Sequence, residues 1–215
     1  MHTHPLPPVS KKYEQYLKRP IDLVLALPSL ILLLPLLALI ALLLWLIQGG
    51  NPLFLQTRIG QNGRPFRLIK FRTMKDFRDK NGRLLPDAAR TTRVGALLRR
   101  SSLDELPEIV NVIRGDMSLI GPRPWIPEQM QQFPPLTRQR RMKLRPGISG
   151  LAQVLGRNDL SFRQRICCDL IYQRHLAPQT DLWILLQTIG KIVKHDGIEQ
   201  SPRAFQHPRN TSLNS

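Results

Sequence analysis

From Leu23 to Ile47 the chain runs for twenty-five residues without a charged side chain. That is long enough for one helix to cross the hydrocarbon of a bilayer, and far longer than a buried strand requires. It is also longer than the apolar part of a secretory signal. Its exit, Ile47-Gln48-Gly49-Gly50-Asn51-Pro52, lacks the small-residue pattern of a cleavage site. Two features complicate a plain span. Lys11, Lys12, Lys18 and Arg19 precede the run, and Arg58, Arg64, Arg67, Lys70 and Arg72 follow it; the positive-inside rule is met best if both ends are cytoplasmic. Pro28 and Pro35 lie inside it, each removing a backbone hydrogen bond and favouring a kink. A re-entrant helix–break–helix that dips into one leaflet and returns fits both facts. A tilted, kinked spanning helix is the alternative.

Charge narrows the partners. Lys and Arg total 32 against 15 acidic residues, a formal charge of +17 over 215 residues. So basic a chain calls for anionic partners: nucleic acid, phosphorylated small molecules or anionic lipid headgroups. Few aromatics interleave with the basic runs, which disfavours a base-stacking nucleic-acid reader. The two cysteines, Cys167 and Cys168, are adjacent, a spacing unsuited to a disulfide and consistent with a reducing, cytoplasmic setting.

After the apolar run, Asn62-Gly63 signals a hairpin turn. Its second arm, through Phe66-Arg-Leu-Ile-Lys-Phe-Arg-Thr-Met74, carries a basic rim at Arg67, Lys70 and Arg72. A rim that merely guards a strand edge is the plainer reading. Asp76 to Arg90 reads as a loop, and Val94 to Arg100 as a helix. A central helix follows, with Leu106, Ile109, Val110 and Ile113 on one face and Gly115 placed for a C-terminal cap.

At the start of that helix stand two adjacent carboxylates, Asp104 and Glu105, in Ser102-Leu103-Asp104-Glu105-Leu106-Pro107. Ser102 and Glu105 have capping-box spacing, and acid in a first turn complements the helix dipole. Capping alone therefore explains the pair. The alternative is chemical. Arg99, Arg100, Arg114 and Arg123 are near in sequence, able to keep a carboxylate ionised and to grip phosphate oxygens. A carboxylate pair can hold Mg²⁺ together with substrate phosphates, and an ionised carboxylate can attack phosphorus. Leu119-Ile-Gly-Pro-Arg-Pro-Trp125 presents Arg123 between two prolines, and Leu144-Arg-Pro-Gly-Ile-Ser-Gly150 presents Arg145 beside glycines suited to close phosphate approach. Arg138, Arg140, Arg141 and Lys143 form a basic patch suited to anionic lipid. Thr180-Asp181 reads as the cap of a last helix through Lys194, with Trp183 as an interface anchor.

Taken in order, these motifs resemble the bacterial sugar transferase family, the monotopic polyprenyl-phosphate phosphoglycosyl transferases in their small form. The resemblance runs from about Lys18 to about Lys194. It rests on Lys18-Arg-Pro-Ile-Asp22; the Phe66–Met74 arm; Arg99 with Ser102-Leu-Asp-Glu-Leu106; Asn111-Val-Ile-Arg-Gly-Asp-Met-Ser-Leu-Ile-Gly-Pro-Arg-Pro124; Arg145-Pro-Gly-Ile-Ser-Gly-Leu-Ala-Gln-Val154; and Gly156-Arg-Asn158. It implies an α/β, mainly helical, membrane-associated domain with a re-entrant, Pro-kinked N-terminal helix, amphipathic surface helices and a short β-hairpin. The expected divisions are an N-terminal flank at 1–17, the membrane helix–break–helix at 18–50, a cytoplasmic catalytic domain at 51–197 and a polar tail at 198–215.

The resemblance implies transfer of a sugar phosphate from a UDP-sugar to polyprenyl (undecaprenyl) phosphate on the cytoplasmic face of a bacterial inner membrane, opening assembly of a surface glycan such as capsule, exopolysaccharide or O-antigen. By resemblance Asp104 is the nucleophile, and Glu105 holds Mg²⁺ with it or handles a proton. Lys70, Arg99, Arg123 and Arg145 bind substrate phosphates. Anionic membrane lipids are further partners, nucleic acid is not, and a homodimer stays open. The family commonly carries Ser-Pro at its helix break; here Leu34-Pro35 keeps Pro35 without the hydroxyl. Two other classes compete: a tethered basic protein that binds nucleic acid or lipid without catalysis, and a degenerate scaffold. Neither accounts for an intact Asp104-Glu105 pair beside Arg123.

Overall fold

A computed structural model describes residues 7–156 and 159–194. Helix α1 (Lys18–Gln48) follows a short π-helical turn at Tyr13–Leu17. Strands β1 (Leu53–Ile59) and β2 (Pro65–Phe71) form an antiparallel hairpin running from Leu53 opposite Phe71 to Ile59 opposite Pro65. Asn62 and Gly63 take positive φ at its tip, as an Asn-Gly turn requires. A single turn α2 (Asp87–Arg90) and α3 (Arg93–Arg100) lead to a 3-10 turn at Leu103–Glu105 and then α4 (Glu108–Arg114). Strand β3 (Ser118–Ile120), α5 (Pro127–Gln131), α6 (Pro135–Arg141), β4 (Gly147–Ser149), α7 (Leu151–Leu155), α8 (Phe162–Arg174) and α9 (Pro178–Lys194) complete it. The fold is mainly helical, with two small two-stranded sheets.

The apolar run forms one long helix, but not two helices separated by a break. Pro28 and Pro35 lie inside an uninterrupted α1, because each proline forfeits a single hydrogen bond while the surrounding leucines continue the turns. The Ser29 hydroxyl donates to the Leu25 carbonyl at 2.7 Å, so it does not serve the Ile31 carbonyl that Pro35 leaves without its helical donor. At 31 residues and ~1.5 Å per residue, α1 is about 46 Å long. One stripe is held by protein: Ala26 packs with Leu68, Ile109, Val112 and Met117, and Ile40 and Leu44 pack with Phe71 and Leu98. The opposite face is bare, with Leu32 80% exposed. Both ends of α1 are fastened to the same body. Arg19 donates to the carbonyls of Val112 and Ile113 at the C-terminal end of α4, and Gln48 donates to the Arg72 carbonyl at 2.6 Å.

Asn111 joins α4 to β2. Its side-chain oxygen accepts from Ile69 N at 3.0 Å and its amide donates to the Arg67 carbonyl at 2.7 Å, satisfying the strand edge opposite β1. The two loops expected to be merely stiff contribute a parallel pair instead, with Ser118 opposite Gly147 and Ile120 opposite Ser149. Gly121, Gly147 and Gly150 are required by that crossing: a Cβ on Gly147 would collide with the Gly121 backbone. These glycines serve the approach of chain to chain, not of chain to phosphate.

The basic patch expected to face lipid divides, because Arg141 is buried. Thr180 and Asp181 lie within the first turn of α9, not at its cap. The Thr180 hydroxyl reaches back to the His175 carbonyl, and Asp181 is buried against Tyr13, Lys18 at the start of α1 and Tyr172 on α8. Arg157 and Asn158, and the tail at 198–215, lie outside the described residues.

Candidate active site

The carboxylate pair does not cap α4. Ser102 adopts a left-handed conformation (φ 57°) and its side chain makes no cap bond to the 3-10 turn that carries Asp104 and Glu105. α4 begins only at Glu108, after Pro107. The capping explanation therefore fails, and the two carboxylates stand on a tight turn between α3 and α4. Left-handed backbone at a residue other than glycine is uncommon and stores strain; here it sets the turn that presents the pair.

Strand β2 places Lys70 on the same face as Leu68, which packs on α4. Lys70 Nζ lies 2.7 Å from Glu105 Oε1 and 3.0 Å from Glu108 Oε1. Arg123 reaches the same Glu105 Oε1 from the Pro122–Pro124 loop at 2.6 Å. One oxygen of Glu105 thus carries two cations. Burial would raise its pKa, but the charges and hydrogen bonds of Arg123 and Lys70 outweigh burial and hold it well below the usual carboxylate range. Glu105 in return holds Arg123 above the ordinary arginine value.

Asp104 is different. Among the described residues its carboxylate takes no hydrogen bond and no ion pair. Burial, with the Glu105 charge adding, pushes it up to about 6, against the opposing pull of Lys70, Arg99 and Arg123. The neighbouring arginines do lower it, as expected, but burial and the Glu105 charge outweigh them, because the arginines sit near enough to be felt and not to bond. Arg99 is held aside, its Nε donating to Thr73 Oγ1 at 2.8 Å. Arg123 keeps 43% of its side chain exposed despite its bond to Glu105, so nitrogens remain for a ligand.

Lys70, Arg99 and Arg123 therefore gather at the pair. Arg145 does not join them: the charges it feels are Arg19 and Asp22, and burial lowers its pKa. Two residues at the site were not read from sequence as site residues. Glu108, four residues after Asp104, is buried under Lys70, and burial holds its carboxyl above the usual range; its spacing along the helical path was the available signal. Arg58 on β1 donates to the Pro124 carbonyl at 3.1 Å and to Gln56 at 2.6 Å. Burial first, and Arg123 second, lower it to about 10.

As a donor set, the site offers one unpaired carboxylate at Asp104 and one, Glu105, already shared by two cations. No group of three or more His, Cys, Asp or Glu suited to a metal occurs among the described residues. That pattern suits Mg²⁺, which binds through one or two carboxylates with substrate phosphates supplying further oxygens, and not a metal caged by protein alone.

Comparison with known proteins gives a family match over most of the chain. The family model described as "Bacterial sugar transferase" matches residues 13–195. An "Uncharacterized sugar transferase EpsL" of Bacillus subtilis is 44% identical over 71% of this chain and 75% of its own length. A "UDP-galactose-lipid carrier transferase" of Erwinia amylovora is 36% identical over 88% of this chain, which spans only 43% of that protein. A "UDP-glucose:undecaprenyl-phosphate glucose-1-phosphate transferase" of Caulobacter vibrioides is 39% identical over 83% of this chain and 70% of its own length.

Proposed function

Since the chain belongs to the bacterial sugar transferase family, we propose that it transfers a sugar 1-phosphate from a UDP-sugar to a polyprenyl phosphate such as undecaprenyl phosphate, through a covalent intermediate on Asp104. The observation that carries this reading is the Asp104 carboxylate, half-buried and unpaired among the described residues, beside Lys70, Arg99 and Arg123. A carboxylate raised to about 6 is ionised at neutral pH and more basic than an ordinary aspartate, which suits a nucleophile. An Asp104 oxygen attacks the phosphorus next to the sugar, the bond from that phosphorus to the bridging oxygen breaks, and UMP leaves. An oxygen of the lipid phosphate then attacks the same phosphorus, forming the diphosphate link and returning the carboxylate.

Arg123 and Lys70, held on Glu105, line this site and grip phosphoryl oxygens whose charge builds as the bond breaks. Glu105 acts here as the anchor of those two cations. Mg²⁺ would be held by Asp104 with substrate oxygens and supply charge neutralisation at the diphosphate. Arg58 and Arg99 stand behind as further positive charge.

The bare face of α1 and the attachment of both its ends to one body support insertion of that face into one leaflet, with both ends and the catalytic part on the cytoplasmic face of the inner membrane. There the enzyme would load the lipid carrier of a surface glycan. The test is UMP release from a panel of UDP-sugars, with detergent-solubilised protein, Mg²⁺ and undecaprenyl phosphate. Release with one sugar, lost without Mg²⁺, is expected; no release from any sugar would overturn the reading.

A further inference from the structure

Behind Arg123 lies a buried ion pair that the chemistry above does not use. Arg141, at the end of α6, directs Nε to Asp169 Oδ2 on α8 at 2.6 Å, and the two side chains are 5% and 4% exposed. The other Arg141 nitrogens are also committed. Nη2 donates to the main-chain carbonyl of Arg123 at 2.6 Å, and Nη1 lies 3.8 Å from Met130 Sδ. The guanidinium sits 4.2 Å from the centre of the Trp125 ring. Arg58 meanwhile holds the next carbonyl, that of Pro124. Two arginines thus grip successive carbonyls of the loop whose own arginine reaches Glu105.

A buried ion pair is weak support for stability, since apolar replacements often do as well. A planar guanidinium fork, however, fixes direction in a way an apolar contact cannot. What this fork fixes is the backbone of Arg123. We propose that Arg141 and Asp169 are positioning residues for the donor: they set the Arg123 backbone so that its guanidinium meets the diphosphate of the nucleotide sugar. This rests on the transfer reaction proposed above.

A double-mutant cycle tests it. Arg141→Lys keeps the charge but replaces the planar fork that aligns Asp169 with the Arg123 carbonyl by a point charge without fixed direction. With circular dichroism and thermal unfolding showing a folded protein, kcat/KM for the UDP-sugar should fall about tenfold, mostly through KM. In an Arg123→Ala background the same change should have under about a twofold effect. Asp169→Asn, which keeps an acceptor for Arg141, gives the same cycle if Arg141→Lys does not fold. UDP affinity by calorimetry reads both cycles independently of turnover. Equal losses in both backgrounds, in kinetics and in UDP binding, would overturn the inference and mark the pair as structural only. A wild type that binds UDP but releases no UMP would overturn the transfer reaction instead, with the cycle still decided on binding.

Discussion

At Asp181 both carboxylate oxygens are used: Tyr172 donates to Oδ1 at 2.6 Å, while Tyr13, at 2.6 Å, and Lys18 donate to Oδ2. At Asp104, among the described residues, neither is. Both residues lie close to cations, Asp181 in the first turn of α9 and Asp104 on the 3-10 turn before α4. In the first cluster burial and Asp181 raise both tyrosine hydroxyls above their ordinary values, so they remain donors, and the network fastens the start of α1 to α8 and α9. In the second, cations surround the carboxylate without bonding it, and burial is left uncompensated. A satisfied carboxylate holds the fold together. An unsatisfied one keeps its interaction energy for a ligand, at some cost to the folded state.

Substitutions can separate the two. Asp104→Asn should lower turnover by about 10⁴-fold or more, over 5 kcal/mol of transition-state stabilisation, with folding intact by circular dichroism. Asp181→Ala should do the opposite. It strands two buried hydroxyls and Lys18, and should cost about 3–5 kcal/mol in chemical unfolding. Arg123→Ala should lower kcat/KM for the UDP-sugar by about 2–4 kcal/mol, as loss of a transition-state donor does.

The smallest effects are in pH. Because Asp104 must be ionised to attack, kcat/KM should fall as pH drops through about 6. Stability moves the other way. The folded value lies above the ordinary 3.8, so this group's contribution is full below about 4 and lost as pH rises through about 6. Asp104→Asn should therefore be more stable than wild type by about 1 kcal/mol above pH 6, discounted for partial exposure, with the difference shrinking as pH falls from about 6 and gone near pH 4. Thermal unfolding of both proteins from pH 4 to 8 checks this.

Much of this was legible in the chain. The length of α1 follows from its uncharged run, the β1–β2 hairpin from Asn62-Gly63, and the end of α4 from Gly115, which takes φ 92°. Asp104, Glu105, Lys70, Arg99 and Arg123 meet in space as expected. What failed to read through depends on tertiary contact. The β3–β4 pair is too short for a two-residue period to register, and its glycines mimic a phosphate loop. Arg141 looks like surface charge until Asp169 from α8 arrives to bury it. The capping box at Ser102 and Glu105 is a local preference overruled by Lys70 and Arg123, which hold Glu105 elsewhere. Arg145 follows its loop to Arg19 and Asp22, a neighbourhood that no local spacing predicts.

The central claim, that Asp104 carries the sugar phosphate, is tested most directly by intact-protein mass spectrometry after brief exposure to the UDP-sugar and Mg²⁺ without polyprenyl phosphate. The account predicts a fraction of the protein heavier by one sugar phosphate, absent in Asp104→Asn and discharged on adding the lipid. An adduct of the same mass that persists in Asp104→Asn, or UMP release to the lipid with no adduct under any quench, would contradict it.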